Sequence, residues 1–248
     1  MRNTRRTGGA RGRGGGAVAL IALAVAMVLG LTGWRPAAAQ DDGAVQPRVV
    51  VIHADWSLGP VDVYLNNDEV LSEFAYGQVS DWIPFEPGNV RITITSNQGA
   101  LNSNYIAFDA VYPAPAGNDY SLIVTTPIVL AGVFDTSPIP DDGARVRVVH
   151  GAVSLQAVDV SANDGNVALA QQLRYSSVSD YTVVPAGTYD FEVTLSRNDE
   201  SVLAAPGMVL EANTTYELVL MGQPGDANHP LELRPLADAT QESPTATP

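Results

Sequence analysis

A nineteen-residue block occurs twice in this chain. Arg48-Val-Val-Val-Ile-His53, running on to Val61-Asp62-Val63-Tyr64-Leu65-Asn66, returns 97 positions later as Arg145-Val-Arg-Val-Val-His150 and Val158-Asp159-Val160-Ser161-Ala162-Asn163, with ten of nineteen residues identical. A second shared block follows at an offset of 99, Val79-Ser80-Asp81-Trp82 against Val178-Ser179-Asp180-Tyr181. The chain is therefore a duplicated module, and whatever one copy folds into the other must also adopt.

The period of the apolar residues decides what that is. Val90, Ile92 and Ile94 alternate with Arg91 and Thr93, and Tyr189, Phe191 and Val193 alternate with Asp190, Glu192 and Thr194. Period two with one dry face is the mark of an antiparallel sheet. Arg48 to Ala54 is apolar on both faces, which reads as a strand buried between two layers. Strands are also expected over Val61–Leu65, Glu69–Ala75, Asn104–Val111, Asp119–Val124 and Ile128–Phe134. Their counterparts are Val167–Leu173, Val202–Leu210, Thr215–Leu220 and Leu231–Leu236. Turn signals separate them: Asn66-Asn67-Asp68, Asn163-Asp164-Gly165, Glu86-Pro87-Gly88 and Pro185-Ala186-Gly187. Beyond residue 39, no stretch holds a 3.6 period over a dozen residues. The expectation is an all-β protein of two tandem immunoglobulin-like antiparallel β-sandwich modules, at residues 44–136 and 144–237. Thr136-Ser-Pro-Ile-Pro-Asp-Asp-Gly143 reads as a fairly stiff linker, centred on 137–143. With 46% hydrophobic residues each copy has the material for its own core, so each is expected to fold alone. Residues 238–248, ending Gln241-Glu-Ser-Pro-Thr-Ala-Thr-Pro248, read as a disordered Thr/Pro tail.

Residues 1–39 read as a cleaved signal peptide. Arg2, Arg5, Arg6, Arg11 and Arg13 precede an uncharged run from Ala17 to Leu31, and Ala37-Ala38-Ala39 offers small residues for cleavage. The run is shorter than the ~20 residues of a spanning helix, so no membrane span is expected after cleavage; the alternative is an uncleaved anchor. Beyond residue 39, seven Arg stand against 27 Asp and Glu, a formal charge of −20. Such a surface repels nucleic acid and anionic lipid. The chain has no Cys, which excludes disulfides and a lipid-modified cysteine. It also has no Lys, which excludes a Schiff base, a P-loop lysine and a Lys–Asn isopeptide crosslink.

Chemistry-bearing residues recur in both copies: His53 with Asp62 and Asp81, and His150 with Asp159 and Asp180. One imidazole with carboxylates is a poor zinc set, though it offers an acid–base pair. The reading preferred here is structural, because folding constraints recur in duplicates while active sites tend to survive in one copy. No catalytic, cofactor-binding or metal-binding residue is assigned, and no cofactor is expected. The oxygen-rich runs Asn66–Glu69, Asp141-Asp142 and Asn163-Asp164 lack EF-hand spacing and read as turns. Trp56, in a loop, is a candidate binding aromatic, with packing under the sandwich as the alternative.

The two blocks resemble the domain-of-unknown-function family 4397. The pattern is Arg-Val-x-x-x-His-Ala, then Val-Asp-Val-Tyr-Val-Asn, then Ser-x-Tyr and Val-Pro-Ala-Gly. Copy one carries Arg48, His53, Ala54, Val61-Asp62-Val63-Tyr64 and Asn66. Copy two carries Arg145, His150, Val158-Asp159-Val160, Ser179, Tyr181 and Val184-Pro185-Ala186-Gly187. The usual Ser-Pro-Asp after His-Ala is replaced by Asp55-Trp56-Ser57 and Ala152-Val153-Ser154. The resemblance implies an extracellular β-rich module and no established activity. The functional expectation is a secreted or cell-surface, non-enzymatic protein, structural, adhesive or presenting a ligand, whose partner is an extracellular glycan, cell wall or protein. The alternative is an extracytoplasmic hydrolase using a His/Asp site in one module.

Overall fold

Beyond residue 44, short β-branched runs are cut repeatedly by Asn, Gly or Pro, which favours strands over helices. In a computed structural model every regular element among the described residues, apart from a 3-10 turn at Trp56–Leu58, is a strand. The structure describes residues 45–96, 105–126, 129–163 and 165–239. The signal-like segment, residues 41–44 of the leader, Asp164 and the tail from residue 240 lie outside the described residues.

Copy one contains β1 (Arg48–His53), β2 (Val61–Leu65), β3 (Asp68–Phe74), β4 (Ile83–Pro84), β5 (Gly88–Ser96), β6 (Tyr105–Ala114), β7 (Asp119–Val124) and β8 (Leu130–Val133). Copy two repeats the set as β9 (Gly143–His150), β10 (Val158–Ala162), β11 (Val167–Leu173), β12 (Thr182–Pro185), β13 (Gly187–Leu195), β14 (Glu200–Leu210), β15 (Thr214–Met221) and β16 (Glu232–Ala239). Four sheets result: β4-β1-β7-β8 and β3-β2-β5-β6 in copy one, β12-β9-β15-β16 and β11-β10-β13-β14 in copy two. The protein is all-β, built as two sandwich-like modules. The edge strands β4 and β12 are too short to have a sequence signal. One pair in each module, β1 with β7 and β9 with β15, runs parallel and not antiparallel. Parallel strands covered on both faces read as continuous apolar runs. β15 fits this description, since all eight of its residues are buried.

Alternation along β1 shows what covers its second face. Val49 and Val51 point into the core of copy one with Val61, Val63, Ile94 and Leu122. Val50 and Ile52 point the other way, into a cluster with Ile123 and Phe134 of copy one and Val149, Val219, Met221 and Leu236 of copy two. The outer faces of the two central sheets thus pack on each other, and the layers run β3-β2-β5-β6, β4-β1-β7-β8, β12-β9-β15-β16, β11-β10-β13-β14. Each fully buried side chain of this size contributes roughly 1.5–3 kcal/mol, so the shared cluster is large beside a typical net stability of about 5–15 kcal/mol.

Polar groups fix the register of that contact. Arg147 donates to the Glu217 carboxylate within copy two, lies 4.4 Å over the Tyr181 ring and donates to the Val133 carbonyl of copy one at 3.2 Å. A Cβ on Gly132 would come within 2.5 Å of the Arg147 guanidinium, so that glycine is needed for the approach. Arg48 holds Asp119 at 2.5 Å and Asp238 of copy two at 3.1 Å, with its guanidinium 4.6 Å over Trp82. Asp238 therefore does not belong to the tail where the sequence reading placed it: β16 extends to Ala239 because it completes an eight-residue ladder against β15. Arg145 turns into the linker, donating to the Asp135 and Ser137 carbonyls at 2.6 and 3.0 Å.

Candidate functional site

The repeated histidines end β1 and β9, where the chain turns away toward the second sheet. Both are fully buried. His53 Nε2 lies 2.7 Å from the Gly59 carbonyl, and His150 Nε2 lies 2.9 Å from the Gln156 carbonyl. A carbonyl only accepts, so Nε2 carries the proton in both rings and Nδ1 is left as the acceptor. His53 Nδ1 takes the Asp55 amide at 3.3 Å, whereas His150 Nδ1 has no partner. Each ring also meets a tyrosine edge-on, Tyr76 at 6.4 Å and Tyr175 at 6.0 Å. Burial lowers the pKa of both imidazoles, against the raising effect of the carbonyl bond. These are neutral rings that pin the loop leading to the next strand.

The repeated aspartates do different work on the other sheet. Glu73 and Gln172 both sit at φ 50°, a left-handed conformation that interrupts β3 and β11. At that point the pairing of β2 with β3, and of β10 with β11, shifts register. A bulge of this kind leaves an amide outside the ladder. Asp62 Oδ1 accepts the Glu73 amide at 2.8 Å, and Asp159 Oδ1 accepts the Gln172 amide at 2.6 Å and the Ser196 hydroxyl at 2.7 Å. The Asp in Val-Asp-Val is thus the clasp of a bulge.

Three other shared residues have equally local roles. Ser80 and Ser179 accept the amides of Val51 and Val148, each at 2.9 Å, which ties the shared Val-Ser-Asp block to the central strand. Asn66 and Asn163 hold positive φ in the hairpin turn and accept the amides of Arg91 and Asp190. Asp81 and Asp180 are exposed. The histidines therefore lie on the central sheets, Asp62 and Asp159 on the outer sheets, and Asp81 and Asp180 in solvent, so the structure does not bring each triplet into one cleft. No group of three His, Asp or Glu among the described residues is placed to hold a metal ion. Trp56, the candidate binding aromatic, is half-buried and stacks on His229 of copy two at 5.1 Å. Asp55 places it there by capping the 3-10 turn through the Ser57 amide at 2.8 Å.

Sequence reasoning missed the Arg147–Glu217 pair and Asp238. A signal was present for the first: Arg147 and Glu217 are charges inside otherwise apolar strands, and such charges are rarely buried unless paired. Asp238 gives a pH prediction. Burial, with the nearby Asp119 carboxylate, pushes its carboxyl up to about 7, and Arg48 only partly opposes this. The folded pKa lies above the unfolded value near 3.9, so the folded state binds the extra proton. The stabilising contribution is complete below the unfolded value and is lost as pH rises through about 7. The melting temperature should therefore rise from pH 8 to pH 5. In Asp238→Asn that slope should flatten, and a slope unchanged in the variant would refute the assignment.

No helix among the described residues is long and apolar enough to cross a membrane. The model of one known family, described as a domain of unknown function (DUF4397), matches residues 47–153 and again residues 144–247. No curated protein matches the sequence. Solved structures with some likeness include a candidate cell adhesion protein from Bacteroides uniformis, 9% identical over 81% of this chain and 99% of its own, with a TM-score of 0.27. The tip fimbrial protein Mfa3 from Porphyromonas gingivalis is 10% identical over 77% of this chain and 99% of its own, with a TM-score of 0.21. The fimbrial anchor protein Mfa2 from the same organism is 11% identical over 78% and 98%, with a TM-score of 0.19. TM-scores this low place no constraint on the fold or role of this chain.

Proposed function

The chain belongs to the DUF4397 family, in two tandem copies, and from that premise we propose that it is a non-enzymatic, secreted or cell-surface protein with a structural, adhesive or ligand-presenting role. The observation that carries this reading is the use to which the shared polar residues are put. His53, Asp62 and His150 are buried, Asp159 is half-buried, and each is bonded to nearby backbone. A second support is the face-to-face packing of the central sheets, which makes a spacer of fixed shape from two modules. Export rests on the Arg-rich start and the Ala17–Leu31 run. The acidic surface suits solubility outside the cell.

The test is a paired screen of the mature protein. Glycan, peptidoglycan and protein arrays should yield a ligand, while ester, peptide, glycoside and phosphoester substrates should show no turnover. Turnover that disappears in a normally folded His53→Ala or His150→Ala variant would overturn the proposal. The exported chain should begin at Gln40, as read by N-terminal sequencing; an exported protein beginning at Met1 would contradict cleavage.

A further inference from the structure

The two copies differ most at one end of their sandwiches. In copy two, Tyr189 and Phe191 of β13 stack at 5.9 Å between the sheets, with Leu210 of β14 buried beside them. The ladder partners Gly187 and Leu210 correspond to Gly88 and Ala114 in copy one. The places of Tyr189, Phe191 and Leu210 are therefore taken in copy one by Val90, Ile92 and Ala114. There the structure has a cavity of about 190 Å³, floored by Val49, Val90, Ile92, Ala114 and Leu122. Its lining passes outward to half-buried Phe85, Tyr112 and Tyr120 and to exposed Pro113 and Val133, so it opens to solvent between aromatic rings.

We propose that this cavity binds a single uncharged aromatic ring of the phenyl or phenol class. The floor is apolar and buried, and apolar cavities of about 150 Å³ stay dry and accept a benzene ring. The second copy shows what fits between these sheets: at the equivalent place stands the phenol ring of Tyr189, whose hydroxyl donates to the Pro185 carbonyl at 2.7 Å. The exchange between copies is not a simple loss of volume, because Leu65, Phe85 and Tyr112 in copy one are larger than Ala162, Val184 and Met208. Phe85 and Tyr112, however, remain half-buried and form a rim, with Phe85 5.9 Å from Tyr120. Copy one thus has an aromatic mouth over an apolar floor, while copy two has its own ring in place. The acidic surface disfavours a ligand carrying a carboxylate or phosphate beside the ring.

The experiment titrates the intact mature protein with p-cresol, toluene and N-acetyltyrosinamide while following methyl resonances by NMR. Saturable binding of p-cresol and toluene is expected, with a dissociation constant of about 1 mM or tighter for ligands of this size. Shifts should centre on the methyls of Val49, Val90, Ile92 and Leu122. Binding of N-acetyltyrosinamide would mark the ring as one carried by a peptide, and its failure beside bound p-cresol would mark a free small aromatic. Ala114→Leu and Val90→Tyr/Ala114→Leu transplant the residues of copy two and should weaken p-cresol at least tenfold. Absence of saturable shifts in the wild type, shifts centred on the inter-module cluster, or full binding by a folded Ala114→Leu variant would each overturn the proposal.

Discussion

Arg147→Ala is expected to destabilise the protein by about 3–5 kcal/mol, the cost of removing one partner from a buried ion pair. Glu217 is fully buried and its Oε1 is held by Arg147, while its Oε2 has no partner. The alanine variant leaves a carboxylate in the middle of the molecule with nothing to balance it, and also removes the contact to the Val133 carbonyl and the stack on Tyr181. Urea denaturation measures the change. Arg147→Met combined with Glu217→Leu should recover most of it, because replacing both charges removes the desolvation problem. A cost under about 1 kcal/mol for the single variant would mean that water reaches this pair.

His150→Ala is the second large effect, at about 1–3 kcal/mol, since the Gln156 carbonyl loses its donor in a buried place. His53→Ala should respond alike through Gly59, with the Asp55 amide losing its acceptor as well. Asp159→Asn keeps one acceptor oxygen for the Gln172 amide and should cost less than either alanine. Binding measured well below the melting temperature should be unchanged in all three. Thermal denaturation of the four equivalent variants, His53 and Asp62 against His150 and Asp159, checks this. A loss of function in one copy without a change in its stability would point to a reaction site there.

Much of this fold was legible because strand periodicity and turn residues agree. The Asn66 and Asn163 turns, the alternation of β5 and β13 and the two-faced burial of β1 all follow from local sequence. The identity of the second layer over β1 was not legible. Val50 and Ile52 announce that something covers them, but nothing local says that it is Val219, Met221 and Leu236, some 170 residues away. Asp238 was lost for the same reason, since its neighbours Ala237 and Ala239 look like tail until β15 is there to pair with them. The histidines were legible as repeated and structural, yet their partners Gly59 and Gln156 share no chemistry, because a backbone carbonyl serves at either residue. Packing was one of the two readings open for Trp56, but nothing local says that the ring it meets is His229 of the other copy.

The central claim is that two repeats form one four-layer body, locked through the outer faces of their central sheets. Each copy still has its own strand set, so we propose that isolated halves, residues 44–136 and 143–239 with β16 complete, each fold, with an apolar face exposed. Differential scanning calorimetry of residues 40–248 tests the claim most directly. A single transition is predicted, with calorimetric and van't Hoff enthalpies equal, and Arg147→Ala should move the whole of it. Two separable transitions, only one of them shifted by Arg147→Ala, would contradict the account.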